Sequence, residues 1–300
     1  MSSVISLAKN GYTGADSAER NVMKITKGTP ATFPELRGSI AGLRWPCFAE
    51  IKYDGEACLI GYHSTALVPI FTSNKYGTMR QEWSKLDDIK AILEDNDVEQ
   101  AVFLAELFYG GGKTGDLYKL LSHKDSDDLN MVIYDIGHIT FKDSKMQGET
   151  TPLITRKEIL GELFNGTVIL TAHLKLVKNK DEVQDFFEQA VVDGYEGIVV
   201  KSLDGFIAHG PCAWVKIKHK DRTIYKVITV SMTQERIEIA VPIPGATVGA
   251  KWIPCGVKVT NKHKKNLQPG DEVEIEHQGV LDSGSLRHPV YIRKIEGGKE

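Results

Sequence analysis

Hydrophobic and polar positions alternate with two different periods along this chain, and the change of period marks out its elements. Residues 47–62, CFAEIKYDGEACLIGY, hold two short apolar runs around Asp54-Gly55, the signature of strand, tight turn, strand. LVPIFTS at 67–73 predicts a further strand. From Gln81 to Asp95 the period lengthens, and Trp83, Leu86, Ile89 and Leu93 fall on one helical face. AVFLAELF at 101–108 and LNMVIYDI at 129–136 are apolar enough for buried strands. Asp181 to Val192 predicts the clearest helix: Val183, Phe186, Phe187, Ala190 and Val191 form its stripe, with Asp181 as N-cap and Gly194 as stop. GIVVKS at 197–202 and AWVKIKHK at 213–220 return to strand. The first 28 residues are polar, with no sustained period.

After Arg222 the pattern becomes strand-like almost throughout. TIYKVITV, ERIEIAV, GVKVT, DEVEIEH and HPVYIRKI alternate over short lengths, with VPIPGATVG and LQPGD as turns. Five antiparallel strands without a helix fit a small, partly open barrel of the OB type. A domain boundary near residues 220–226 follows.

Composition adds limits. The 300 residues are 41% hydrophobic and 26% charged, ordinary for a globular protein of about two domains. No apolar run approaches a membrane span of about 18 residues, and the N-terminus lacks a secretory apolar region, so the cytosol is the expected compartment. Cys47, Cys58, Cys212 and Cys255 form no C-x-x-C pair and read as reduced core thiols. Net charge is -3, unevenly spread: residues 223–300 carry 11 basic against 9 acidic side chains, the preceding part 26 against 31. Lys258, Lys262, His263, Lys264 and Lys265 form one basic cluster, and Lys216, Lys218, His219, Lys220 and Arg222 another. Such runs are either a solvated face or a footprint for a polyanion.

Three stretches carry candidate chemistry. In Lys52-Tyr53-Asp54-Gly55 the turn either closes a hairpin or presents Lys52 as a nucleophile. A lysine amine attacks phosphorus only when deprotonated, which desolvation or neighbouring cations favour. Glu196-Gly197-Ile198-Val199-Val200-Lys201 reads as a buried strand between two charges. In Trp214-Val215-Lys216-Ile217-Lys218, both lysines project from one strand face, where they repel unless a polyanion lies between them or water surrounds an edge strand. Tyr109-Gly-Gly-Gly-Lys-Thr-Gly115 looks like a phosphate loop, but a Walker A loop needs glycine where Leu107 stands.

The order and spacing of these stretches resemble the motifs of the covalent nucleotidyltransferase superfamily, the ATP-dependent polynucleotide ligases and mRNA-capping enzymes. The resemblance covers most of the chain. It implies that Lys52 becomes attached to AMP or GMP and that Glu50 sits where such ligases contact the adenine amino group. Glu106 in FLAELF would approach the ribose or metal, and Tyr134 would stack on the base. Glu196 would bind metal, and Lys216 and Lys218 would bind phosphate. It further implies a two-domain α+β fold: an ATP-grasp-like adenylation (nucleotidyltransferase) domain over 1–222, then a β-barrel OB-fold DNA-binding domain over 223–300, with hinge closure between adenylation and DNA binding.

EGIVVK and the short build look like a minimal ATP-dependent DNA ligase of viral or bacteriophage type, with no further DNA-binding domain ahead of Lys52. The implied enzyme is a monomer using ATP and Mg²⁺ (or Mn²⁺) to seal nicked duplex DNA in replication, repair or recombination, away from membranes, in a host cytoplasm if viral. An RNA ligase or a capping guanylyltransferase is the alternative within the superfamily, and a dead nucleic-acid-binding module the alternative outside it. Three positions depart from the family pattern. Ala57 stands where motif I usually ends in arginine. Ser73-Asn74, followed by Lys75, replaces a Ser-Arg pair. Motif VI is not clear, with Arg293 and Lys294 the nearest basic residues. Lys75 or Lys201 would then take the nick 5′-phosphate, and Lys258, Lys262, Lys264 and Lys265 would track the DNA backbone.

Overall fold

The computed structural model describes residues 27–31, 43–65, 70–73, 79–80, 84–109, 129–207, 211–242, 252–281 and 283–295. The expectations for Trp83, Asn74, Lys75 and the glycine-rich 110–115 loop lie outside these residues. The chain divides into two compact units between Lys218 and His219.

In chain order the first unit contains β1 (Lys27–Ala31), β2 (Cys47–Lys52), β3 (Gly55–His63), β4 (Ile70–Ser73), β5 (Met79–Arg80), α1 (Ser84–Asp95), β6 (Val98–Tyr109), β7 (Leu129–Phe141), β8 (Lys145–Gln147), α2 (Leu153–Phe164), β9 (Leu170–Thr171), β10 (Leu174–Val177), α3 (Lys180–Val192), β11 (Gly197–Ser202) and β12 (Pro211–Lys218). These strands make two sheets, ordered β1-β12-β11-β2-β10 and β5-β4-β3-β6-β7-β8, with β9 added beside β7.

The Asp54-Gly55 turn does not close a hairpin, because β2 pairs with β10 and β11 whereas β3 pairs with β4 and β6. The turn carries the chain from one sheet to the other. Gly55 permits this: a Cβ there would fall 1.9 Å from the Leu107 carbonyl oxygen and 2.9 Å from Glu106 Cγ.

Alternation along the strands gives the first sheet two unlike faces. Ala49, Ile51, Ile198, Val200, Val215 and Ile217 are buried in one core together with Val183, Phe186 and Ala190 of α3. Burying each such large apolar side chain stabilises by about 1.5–3 kcal/mol. Asn179 rather than Asp181 caps α3, its side chain accepting from Glu182 N at 2.9 Å, and Gly194 follows the helix with φ +85°. The asparagine wins because the cap must precede the first helical residue, Lys180. The second sheet buries Cys58, Ile60, Phe103, Ala105 and Ile133 against Leu86, Ile89 and Leu93 of α1 and Leu160 and Leu163 of α2.

The helix α2 has no counterpart among the sequence expectations. Arg156 occupies a fully buried position in its stripe, so the apolar period breaks where a charge enters the core. Between the sheets lies a smaller cluster, Leu59, Leu104, Tyr134, Val199, Ile207 and Trp214.

The second unit contains β13 (Asp221–Val230), β14 (Arg236–Pro242), β15 (Trp252–Lys258), α4 (Asn261–Lys264), β16 (Glu272–His277) and β17 (Val290–Lys294). Its strand order, β13-β14-β15-β17-β16, returns from β16 to β13. Not every pairing is antiparallel. β17 runs antiparallel to β16 but parallel to β15, which it meets through one register pair, Lys258↔Val290. A single helical turn, α4, is also present within the second basic cluster. The core of this unit is built from inward positions such as Val227, Ile239, Val257, Val273 and Ile275. Cys47, Cys58 and Cys255 are buried free thiols.

Candidate active site

Strand register brings the candidate residues into rows. Lys52, Gly197 and Lys218 lie side by side across β2, β11 and β12, and Glu50, Val199 and Lys216 form the next row but one. Because side chains alternate, Glu50, Lys52, Lys201, Trp214, Lys216 and Lys218 share the face opposite the α3 core. The second sheet contributes Glu106 on β6 and Tyr134 on β7.

Glu196 sits at the centre. One of its oxygens pairs with Lys52 Nζ and the other with Lys218 Nζ, and its side chain is only 7% exposed. Lys52 Nζ also donates to the Tyr53 carbonyl at 3.2 Å. Gly197 makes this possible: it adopts φ +151°, and a Cβ there would fall 2.0 Å from the Ile217 carbonyl oxygen. Tyr53 packs on Phe108 at 4.8 Å and on Tyr195 at 5.5 Å, so rings beside Lys52 and Glu196 meet each other.

The surrounding charges are strongly coupled. Burial lowers Lys216 below the ordinary lysine range, and the neighbouring Lys52 and Lys218 add to this against the pull of Glu106 and Glu196. Burial raises Glu106 to about 7; Lys52 and Lys216 oppose that shift, while Glu196 and Glu56 reinforce it. Ala57 is the cross-strand partner of Glu106, so no guanidinium faces the carboxylate there. Among the described residues, no group of three or more His, Cys, Asp or Glu side chains could hold a metal by itself.

A second set of contacts lies around Glu50, which is 2% exposed. Lys157 Nζ approaches one of its oxygens at 2.7 Å and Lys201 Nζ the other at 2.6 Å. Lys201 also lies 4.0 Å from the centre of the Trp214 ring and 5.1 Å from that of Tyr134. Burial lowers its pKa, and the Glu50 charge opposes the shift. Lys201 therefore faces Glu50 and two aromatic rings. Behind it, Arg156 grips Asp135 through two bonds, Nε–Oδ1 at 2.6 Å and Nη2–Oδ2 at 2.9 Å. Burial would raise Asp135, but these bonds hold it below the usual carboxylate range.

The first basic cluster divides among separate tasks instead of forming one polyanion footprint. Lys216 and Lys218 belong to the site. Lys220 and Arg222 bind Glu276 on β16 at 2.6 and 3.0 Å, and His219 pairs with Asp221 at 3.0 Å. In the other cluster, Lys258, Lys262 and Lys265 are exposed, while Lys264 Nζ donates to the Gln234 carbonyl at 2.7 Å. Arg293 pairs with Glu274 and Lys294 with Asp271. Lys157 is the residue the sequence reading missed. Thr151-Pro152 followed by Leu153, Leu160, Leu163 and Phe164 is the start-and-stripe signal that could have placed it on a helix.

A family model described as ATP dependent DNA ligase domain matches residues 40–218. A DNA ligase of Sulfophobococcus zilligii is 27% identical over 184 residues, 58% of this chain and 30% of that protein. A DNA ligase of Pyrobaculum neutrophilum is 29% identical over 218 residues, 66% of this chain and 36% of that protein. The chain thus spans about a third of the length of these relatives. A solved structure from work on Lig E DNA ligases, concerned with DNA binding by a minimal scaffold, has TM-score 0.64 at 14% identity over 91% of this chain and 100% of its own. That likeness is one of fold.

Proposed function

The chain belongs to the ATP-dependent DNA ligase family, and from that premise we propose that it seals 5′-phosphate/3′-hydroxyl nicks in duplex DNA through a lysyl-AMP intermediate. The observation that carries this reading is the Lys52–Glu196–Lys218 arrangement at the junction of the two sheets, inside the matched residues.

In the first step the Lys52 amine forms an N–P bond to the α-phosphorus of ATP, and the P–O bond to pyrophosphate breaks. Glu196, already against Lys52 Nζ, is the acceptor at hand for the amine proton. Lys216 and Lys218 neutralise phosphate oxygens as charge shifts toward the leaving group. AMP then passes to the nick: a 5′-phosphate oxygen bonds to the AMP phosphorus, the N–P bond to Lys52 breaks and the amine is regenerated. The 3′-hydroxyl attacks that activated phosphate, and AMP leaves. On this reading Glu50 accepts from the adenine amino group and Tyr134 stacks on the base.

Mg²⁺ or Mn²⁺ is commonly held by one or two carboxylates together with substrate phosphates. Glu106 and Glu196 fit that mode: Glu106 is an acid raised chiefly by burial, with the Glu196 charge adding to it, a situation a cation relieves. The metal would supply charge neutralisation at the phosphates. The second unit is read as an OB-type DNA-binding barrel, on the support of its cyclic strand order.

The test is incubation with ATP labelled at the α-phosphate and Mg²⁺, then a denaturing gel. A covalent AMP adduct is expected with the parent chain. Lys52→Ala should form none, yet retain some sealing of a pre-adenylated nick, since the last step uses the DNA hydroxyl. An undiminished adduct in the variant moves the nucleophile elsewhere.

A further inference from the structure

The ligase reading leaves Lys157 without a task, although its ammonium group is nearly buried and makes two polar contacts. Its side chain is 7% exposed, with Nζ 2.7 Å from Glu50 Oε1 and 2.5 Å from the Tyr134 carbonyl oxygen. One ammonium group thus ties a carboxylate on β2 to the backbone of β7, strands of different sheets. The other Glu50 oxygen is held by Lys201, itself lodged between Trp214 and Tyr134.

Beside α2 opens a cavity of about 320 Å³, lined by Lys157, Leu160, Gly161 and the stretch from Thr171 to Leu174. Leu174 is the register partner of Glu50 on β10. The volume is within the range of small-ligand sites, about 300–1,000 Å³. Lys157, which lines the cavity, also pairs with the Glu50 carboxylate.

We propose that Lys157 is a positioning residue for base selection: with Lys201 it fixes the Glu50 carboxylate so that the site takes a purine with an amino donor at position 6 and rejects one with a carbonyl there. The inference rests on the ligase reading and deepens it. A carboxylate offers about four acceptor directions; Lys201 hydrogen-bonds Oε2 and Lys157 pairs with Oε1 by charge, leaving Oε1 without a hydrogen-bond donor. The remaining directions can accept from an amino group, whereas a 6-carbonyl would set acceptor against acceptor. Such a site discriminates by leaving buried polar groups unpaired in the wrong complex. Without Lys157, Glu50 keeps one partner and can turn away.

The experiment is single-turnover self-nucleotidylation of the full chain with ATP and with purine riboside triphosphate, which lacks the 6-amino group. The parent chain should prefer ATP. Lys157→Met should raise KM for ATP about tenfold or more, lower kcat less, and affect the analogue much less, so the preference collapses. Lys157→Arg, which keeps a cation in reach of Glu50, should restore most of it. An unchanged preference in K157M overturns the proposal. So does an equal loss with both nucleotides, which marks a purely structural residue. If K157M does not fold, K157Q is read in the same way, and failure of both to fold assigns Lys157 to folding and also overturns the proposal. Absence of any adduct from ATP in the parent chain would instead sink the ligase reading, so the two failures are distinct.

Discussion

At Lys201 the ammonium group has almost no water to turn to. It is 2% exposed, paired with Glu50 and set against two aromatic faces. Desolvating an ion is costly unless a partner of good geometry repays it, and here the repayment is local, so the charge is committed within the site. If the chain seals nicks as proposed, the 5′-phosphate needs a cation that Ala57, facing Glu106, does not offer. Lys75 is the nearest in sequence to the departing motif. Lys75→Ala is expected to slow AMP transfer to DNA more than self-adenylation, by about 10- to 100-fold, the worth of a charge-assisted hydrogen bond. Single-turnover kinetics of pre-adenylated enzyme on a phosphorylated nick measure this, and transfer at the parent rate rejects Lys75. The sequence marked Lys52, Glu196, Lys216 and Lys218 because their order and spacing resemble the motifs of a known family. It also marked Lys201, but not its partners, because those partners come from residues far away along the chain.

Elements show the same division. The helix α1 was legible since Leu86, Ile89 and Leu93 obey a helical period and all are fully buried. In contrast, α2 was hidden by Arg156, whose burial makes sense only once Asp135 is brought beside it from β7. That pair ties α2 to the second sheet, with Arg156 also donating to the Gly205 carbonyl at 3.0 Å. Asp135→Asn leaves a buried guanidinium without its counter-charge and should destabilise the chain by about 3–5 kcal/mol at pH 7. The pH dependence has a definite sign. The folded-state pKa of Asp135 is depressed, so its contribution is present above the unfolded value of about 3.9 and is lost as pH falls through the lower folded value. The gap between parent and variant should therefore shrink below about pH 3.9. Denaturant unfolding of both at neutral and acid pH measures it, and a gap independent of pH would show that the missing interaction is not the ion pair.

For the whole molecule, charge matters more by location than by total. A net charge of -3 gives no hint of polyanion binding, yet Lys258, Lys262 and Lys265 are exposed together around α4 in the second unit. Neutralising these three with Lys264 should weaken binding to nicked duplex and flatten its salt dependence, the slope falling by about 0.9 for each DNA phosphate no longer neutralised. Lys264 should contribute least, since its ammonium already serves Gln234. Adenylation by ATP alone should change much less. Unaltered affinity and slope across a salt titration would leave the cluster a solvated face. By itself, the sequence determined the local and the periodic: most strands, α1, α3, the strand-rich character after Arg222, and the motif order that points to lysine adenylation. The elements follow from side-chain alternation and short-range spacing, which the chain carries before it folds, and the motif order points to adenylation through its resemblance to a known family. Only tertiary structure decided that β2 and β3 part into different sheets, that β17 lies parallel to β15, and that Lys157 and Lys201 close on Glu50. Those outcomes depend on which distant groups can satisfy a buried charge or approach a glycine backbone, and no local pattern encodes that choice.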